Sequence, residues 1–212
     1  SMIAFDVVGN DSLNYGFIGA YGDRAANFIV AKSDLLISLG SRLDVRQVGA
    51  KRENFAPNAK IIRFDVDEGE LDYSVHQDEI KCCVGMQETV QALKIIEKTC
   101  TSDYSKWIDI CNEIREKLET VDQSRTGKIV EALSKKFPED VLITTDVGQN
   151  QVWVAQSVQL KKGQQVLFSG GHGAMGYSLP AAIGAYYASK SPVICISGDG
   201  GITREIGRAS CR

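Results

Sequence analysis

The chain has 212 residues, 43% hydrophobic and 24% charged, with a formal net charge of −3. Such fractions belong to ordinary globular proteins and exclude a disordered, collagen-like or disulfide-framework chain. The charge gives no basic excess for nucleic acid or an anionic membrane, and no apolar run approaches the ~20 residues of a membrane span.

The start, Ser1-Met2-Ile3-Ala4, lacks signal-peptide zones, and a Ser ahead of Met reads as a residue left by tag cleavage. The length allows one large domain or two small ones. Cys82, Cys83, Cys100, Cys111, Cys195 and Cys211 form neither a C-x-x-C pair nor a zinc-like cluster. They read as reduced, structural thiols of a cytoplasmic protein, with reactive or metal-bound cysteine as the alternative.

In chain order, residues 22–32 predict a helix with Ala25, Phe28, Ile29 and Lys32 on one side. Residues 34–40 are a short apolar run ending at glycine, the pattern of a buried parallel strand. Residues 60–67 and 79–84 predict two more strands. Residues 86–98 predict a helix with Met86, Val90, Leu93 and Ile95 or Ile96 inward. Residues 99–124 are polar, with Trp107, Ile110, Ile114 and Leu118 at helical spacing, and read as a helical connector between two domains. A second alternation follows: helix 127–137, strand 141–146, helix 150–158, strand 165–168, helix 179–189 and strand 193–197. Alternating strands and helices predict two parallel-sheet α/β units.

Three strand ends of the second unit run into glycine turns: Asp146-Val147-Gly148-Gln149-Asn150, residues 169–176 with glycine at 170, 171, 173 and 176, and Gly198-Asp199-Gly200-Gly201. Ligands of parallel α/β sheets bind beyond the carboxyl ends of the strands. Glycine lets backbone approach a ligand, and N–H groups at helix starts attract phosphate. An Asp between glycines after a strand suits Mg²⁺, bound through one or two carboxylates and phosphate oxygens. A phosphate-bearing ligand with Mg²⁺ is one reading, and glycines that only make tight turns are the other.

These residues resemble a known family. TTDVGQNQVWVAQ, FSGGHGAMGYSLPAAIGA and VICISGDGG are similar to the diphosphate-binding domain of thiamine diphosphate enzymes, most closely the acetolactate synthase group. NYGFIGAYGDRAANFIVAKSDLLISLGSRLDVRQVG and IIRFDVDEGEL resemble that family's central, Rossmann-like domain. The resemblance implies an enzyme that decarboxylates a 2-keto acid such as pyruvate and transfers the two-carbon unit. It implies that Gly148, Gln149 and Asn150 line the cofactor diphosphate. Gly173, Ala174 and Met175 would sit beside its rings, with Met175 as the apolar support under the bent cofactor. Asp199 would bind Mg²⁺, with Gly198, Gly200 and Gly201 contributing backbone. FAD on the central domain would meet Arg42, Asp44, Arg46, Asp65 and Val66, although these also read as a polar loop with local ion pairs and a helix cap. A homo-oligomer is implied, and no nucleic acid or membrane partner. A flavin- or nucleotide-binding or assembly module without thiamine chemistry is the alternative.

The sequence departs from that pattern in three places. The family's catalytic glutamate belongs to a domain that does not fit ahead of Ser12, so no catalytic residue is assigned. No asparagine follows Asn150, which leaves the family's second metal ligand unmatched. Residues 203–212 are basic and unpatterned, and read as a vector-derived tail without native packing. The expected organisation is a partial central domain (3–98), the connector (99–124), a partial diphosphate-binding domain (125–201) and this tail. Such a chain is expected to be inactive and to bind thiamine diphosphate weakly. His172 reads as a partly exposed loop residue or a cofactor contact, and His76 as a solvated histidine. Trp153 and Trp107 read as packing residues.

Overall fold

The computed structural model describes residues 11–119 and 125–209. It contains two compact units, one spanning Tyr15–Asp122 and one drawn from the rest of the chain. The expected domain starts at 3–10, the connector end at 120–124 and the tail end at 210–212 lie outside the described residues.

The first unit runs α1 (Arg24–Lys32), β1 (Leu35–Leu39), α2 (Val45–Val48), a 3₁₀ turn (Arg52–Asn54), β2 (Lys60–Asp65), α3 (Glu68–Asp72), β3 (Ile80–Cys83), α4 (Met86–Thr99) and α5 (Ser105–Glu119). Its strands form one parallel sheet in the order β1-β2-β3. Leu36 pairs with Ile61, and Phe64 with Cys82. Leu43, Val48, Phe55, Ala56, Ala59, Ile61 and Val75 make the core, with Ile18, Val30 and Leu36 packed on it.

Short polar residues fix the local turns. Asp44 caps α2 by accepting from the N–H groups of Arg46 and Gln47. Asp67 caps α3 in the same way, accepting from Gly69 and Glu70. Asp23 precedes α1 but turns its carboxylate back to the Phe17 N–H at 3.0 Å, so the helix starts later than periodicity suggested.

Several inward-facing expectations need correction. In α1 the buried residues are Ala25 and Ala26, while Phe28 is exposed with the Lys32 ammonium over its ring. In α4 the buried residue is Thr89, whose hydroxyl bonds the Gly85 carbonyl; Met86, Val90, Ile95 and Ile96 are exposed. Periodicity reports which residues share a stripe, not whether that stripe is covered. Helix α5, the expected connector, packs on α1. Its buried contact is Cys111, with Ile110 exposed. Treating cysteine as apolar gives Trp107, Cys111, Ile114 and Leu118 as the helical stripe. His76 is not simply solvated: its Nε2 lies 2.7 Å from the Phe55 carbonyl oxygen.

The second unit runs α6 (Arg125–Ser134), β4 (Leu142–Thr145), α7 (Gln149–Ser157), β5 (Gln165–Phe168), α8 (Ser178–Ser189), β6 (Val193–Ile196) and α9 (Asp199–Ala209). The parallel sheet has the order β5-β4-β6, so β4 is central. Val141, Ile143, Val154, Val158, Leu160 and Val166 form the core. Thr144 and Thr145 are as buried as the aliphatic residues, and the Thr144 hydroxyl donates to the Ser178 carbonyl at 2.9 Å. Helix α6 stops at Ser134, whose hydroxyl donates to Glu131 O and accepts from the Gln159 N–H. Residues 203–209, expected to form an unpatterned tail, continue α9, with Glu205 buried. Ile202 and Glu205 lie three positions apart, a helical spacing diluted by the polar residues between them.

Both units are therefore parallel α/β layers, as the alternation predicted. No helix among the described residues is long and apolar enough to cross a membrane.

The described cysteines are free thiols in different surroundings. Tyr104, 3.3 Å away through its hydroxyl, holds the exposed Cys100 thiol below its ordinary pKa, helped by Ser102. Burial pushes the Cys111 thiol up. Near neutral pH Cys100 should alkylate well ahead of Cys111, and its rate should fall as the pH drops through its lowered pKa. Mass spectrometry of iodoacetamide-labelled peptides checks this order; equal rates at Cys100 and Cys111 would contradict it.

Candidate functional site

The carboxyl ends of β4, β5 and β6 lie along one edge of the second sheet, because all three strands run the same way. Asp146 follows β4 and is 1% exposed. Its N–H donates to Ile196 O at 2.9 Å, tying it to the end of β6. Its Oδ1 accepts from the N–H groups of Val147 (2.8 Å), Gly176 (3.1 Å) and Tyr177 (3.3 Å). Its Oδ2 accepts from the Gly176 N–H (3.0 Å) and the Ser197 hydroxyl (3.3 Å).

The three glycine turns gather around this carboxylate. Gly148 starts α7 with φ +102, a left-handed conformation that suits glycine. Gln149 and Asn150 form the first turn of α7. Gln149 is exposed, and the Asn150 amide donates to Asp146 O at 2.6 Å. A Cβ on Gly198 would lie 3.3 Å from Asn150 Oδ1, so the first and third turns are neighbours. In the second turn Ser169 holds Gly173 and Ala174 through their N–H groups, both at 3.1 Å. Gly173 approaches Val147 of the first turn. The side chain of Met175 is half exposed, and its methyl would lie 3.6 Å from a Cβ on Gly200. A Cβ on Gly201 would collide with the Asp146 carboxylate. The structure thus gathers Gly148, Asn150, Gly173, Ala174, Met175, Gly198, Gly200 and Gly201 at one strand edge.

Asp199 opens α9 with an exposed carboxylate that accepts from the Gly200 N–H at 2.8 Å. Among the described residues no three His, Cys, Asp or Glu side chains cluster as a metal cage. Asp199 is therefore one exposed carboxylate flanked by glycines, without a cluster of other acidic side chains on it among the described residues. His172 is exposed, and Trp153 is half-buried in α7.

The flavin candidates of the first unit are arranged differently. Arg42 pairs with Glu70 at 3.1 Å, and Asp44 is engaged as the α2 cap. Arg46 O accepts from the Ala20 N–H. Asp65 accepts from the Asp67 N–H at 3.1 Å, and Val66 is 71% exposed. None of the five lines the 270 Å³ cleft of this unit, which is bordered by Gly19, Asn27, Gln47, Asn54 and Phe55.

Sequence reasoning assigned no role to Asp146, Ser169, Ser197 or Glu205. An Asp following a strand that ends in two threonines was the available signal for the first.

Comparison with known proteins follows the same division. A model of the thiamine pyrophosphate enzyme central domain matches residues 5–93, and one of the C-terminal TPP binding domain matches residues 146–209. The acetolactate synthase isozyme 1 large subunit of Escherichia coli (strain K12) is 35% identical over 201 residues, covering 92% of this chain and 35% of that protein. A probable acetolactate synthase large subunit of Methanococcus aeolicus is 35% identical over 214 residues, 91% of this chain and 35% of that protein. Acetolactate synthase 1, chloroplastic, of Zea mays is 33% identical over 201 residues, 90% and 31% respectively. The chain spans about a third of the length of these curated relatives. With both domain models in order on an α/β fold and glycine turns at the strand edge, the chain belongs to the thiamine pyrophosphate enzyme family.

Proposed function

We propose that this chain supplies the diphosphate-binding part of a Mg²⁺-dependent enzyme of the acetolactate synthase type. Such an enzyme decarboxylates a 2-keto acid such as pyruvate and transfers the two-carbon unit. The observation that carries the proposal is the gathering of three glycine turns at one parallel strand edge, beside an exposed Asp199. Gly148, Gln149 and Asn150 bind the diphosphate, using N–H groups and the α7 N-terminus. Asp199 holds Mg²⁺, with Gly198, Gly200 and Gly201 contributing backbone groups around it. Gly173 and Ala174 form the turn beside the cofactor rings, and Met175 offers an exposed apolar side chain there. When bound, thiamine diphosphate supplies the carbanion chemistry, and the protein orients it.

Titration calorimetry with thiamine diphosphate, with and without Mg²⁺, tests this reading. Binding should require Mg²⁺ and weaken at least ~10-fold in Asp199→Ala, the effect of losing roughly 1.4 kcal/mol. Binding that ignores both Mg²⁺ and Asp199 would overturn it, as would flavin binding with no thiamine response.

Arg42, Asp44, Arg46, Asp65 and Val66 are assigned to an FAD, on the exposure of Val66 just after β2 and of Arg46 in α2. Flavin absorbance of the purified protein checks this arm. The exposed Ile183, Tyr186 and Tyr187 of α8 support assembly with further copies. Free thiols support a cytoplasmic setting.

A further inference from the structure

We propose that Asp146 is the positioning residue of the candidate diphosphate site, setting the three glycine turns in one register. The inference rests on the reading of those turns as the diphosphate site, and adds how they are held.

An ionised carboxylate is acceptor-only, so burial demands donors from its surroundings. At 1% exposure Asp146 takes them from three main-chain N–H groups and one hydroxyl. These donors belong to three separate segments. Val147 is in the turn after β4. Gly176 and Tyr177 end the turn after β5, immediately before α8. Ser197 ends β6. One side chain therefore sets the spacing between all three turns.

Two glycines sit close around this carboxylate, each for its own reason. Gly201 has no room for a Cβ, which would meet the Asp146 carboxylate and lie 2.9 Å from Ser197 Oγ. Gly176 holds φ +80, and a Cβ there would lie 2.6 Å from Glu205 Oε1. Both keep backbone close enough to bond or abut the carboxylate.

Asp146 also lies beside the N-terminus of α8, where it accepts from the Gly176 and Tyr177 N–H groups that lead into that helix. The starts of α7 and α9 carry Gln149, Asn150 and Asp199.

Residue-resolved amide exchange on Asp146→Asn tests this, combined with titration of Mg²⁺–thiamine diphosphate. The control is Val166→Ala, a core truncation in β5 that lowers stability without touching the carboxylate. In Asp146→Asn the Gly176 and Tyr177 amides should exchange roughly tenfold faster, as expected on losing bonds to a charged acceptor. Val166→Ala should leave their ratio to neighbouring amides unchanged. Ligand affinity should fall about tenfold or more in Asp146→Asn and much less in the control.

Should Asp146→Asn fail to fold, Gly201→Ala reports on the same contact and should loosen the same two amides. Unchanged exchange at Gly176 and Tyr177 in the folded variant overturns the proposal. So does faster exchange with unaltered ligand affinity. If the unsubstituted protein binds no thiamine diphosphate yet the two amides loosen, the positioning role stands and the diphosphate reading falls.

Discussion

Replacing Arg63 with methionine is expected to destabilise the Tyr15–Asp122 unit by about 3–5 kcal/mol, the range for breaking a buried ion pair from one side. Arg63 sits on β2 and is 1% exposed, an unusual place for a guanidinium. It donates to the carbonyls of Tyr73 (2.8 Å), Glu70 (3.0 Å) and Arg42 (3.4 Å), and to Glu79 Oε1 at 3.4 Å. Glu79 is equally buried, and its Oε1 also accepts from the Val75 N–H at 3.1 Å. Methionine fills similar volume but leaves that carboxylate with Lys81 as its remaining cation, 3.9 Å away. The Glu70 and Tyr73 carbonyls would lose their bonds to β2. Because the loss arises from a stranded charge, Arg63→Met/Glu79→Leu should recover much of it. Urea unfolding in a Trp153→Phe background, where Trp107 reports on this unit, measures both variants. A single variant within about 1 kcal/mol of the parent, or a double variant no better than the single, would show that the pair is not the source.

Arg63 marks where sequence reading stops. Residues 60–67 were legible as a strand because Ile61, Ile62, Phe64 and Val66 suit a buried parallel position. Nothing in that run tells that the charged residue points inward, since its partners come from 42, 70, 73 and 79. Helix faces failed for a related reason. The α4 stripe of Met86, Val90 and Ile96 is real in spacing but exposed in the structure. Burial depends on what packs against a helix, and spacing is silent on that.

The site was legible to a different depth. Glycine turns after strands are a local signal, and all three lie where the parallel sheet places them. Their convergence was not local. The approach of Gly198 to Asn150, and of Met175 to Gly200, joins residues 48 and 25 positions apart. Asp146 was visible inside the first motif, but its partners at 176, 177 and 197 were not. Residues 203–209 were misread because Gly200, Gly201, Thr203 and Arg204 carry little apolar periodicity, whereas α9 begins at Asp199, a favourable acidic residue for a first turn.

Truncating Ile143 to alanine should destabilise the second unit by about 2–5 kcal/mol, toward the upper end of the range for buried aliphatic residues. Ile143 is 0% exposed on the central strand, paired with Val166 of β5 and Ile194 of β6. Strands hydrogen-bonded on both sides cannot close on the vacated volume, so the cavity term remains. Ile183→Ala on α8 makes the matching surface control. That side chain is 53% exposed, and its loss should change stability by roughly 0.5 kcal/mol or less. Trp153 in a Trp107→Phe background reports on this unit during urea unfolding. Equal effects of the two truncations would contradict the assignment of β4 as the core strand. The same strand leads directly into Asp146, so Ile143→Ala also separates two kinds of damage. Well below its own transition it should retain Mg²⁺-dependent ligand binding, because the hydrogen bonds of Asp146 survive in the folded state. Asp146→Asn should weaken that binding about tenfold or more while still folded, since its defect lies in the register of the turns and not in the core.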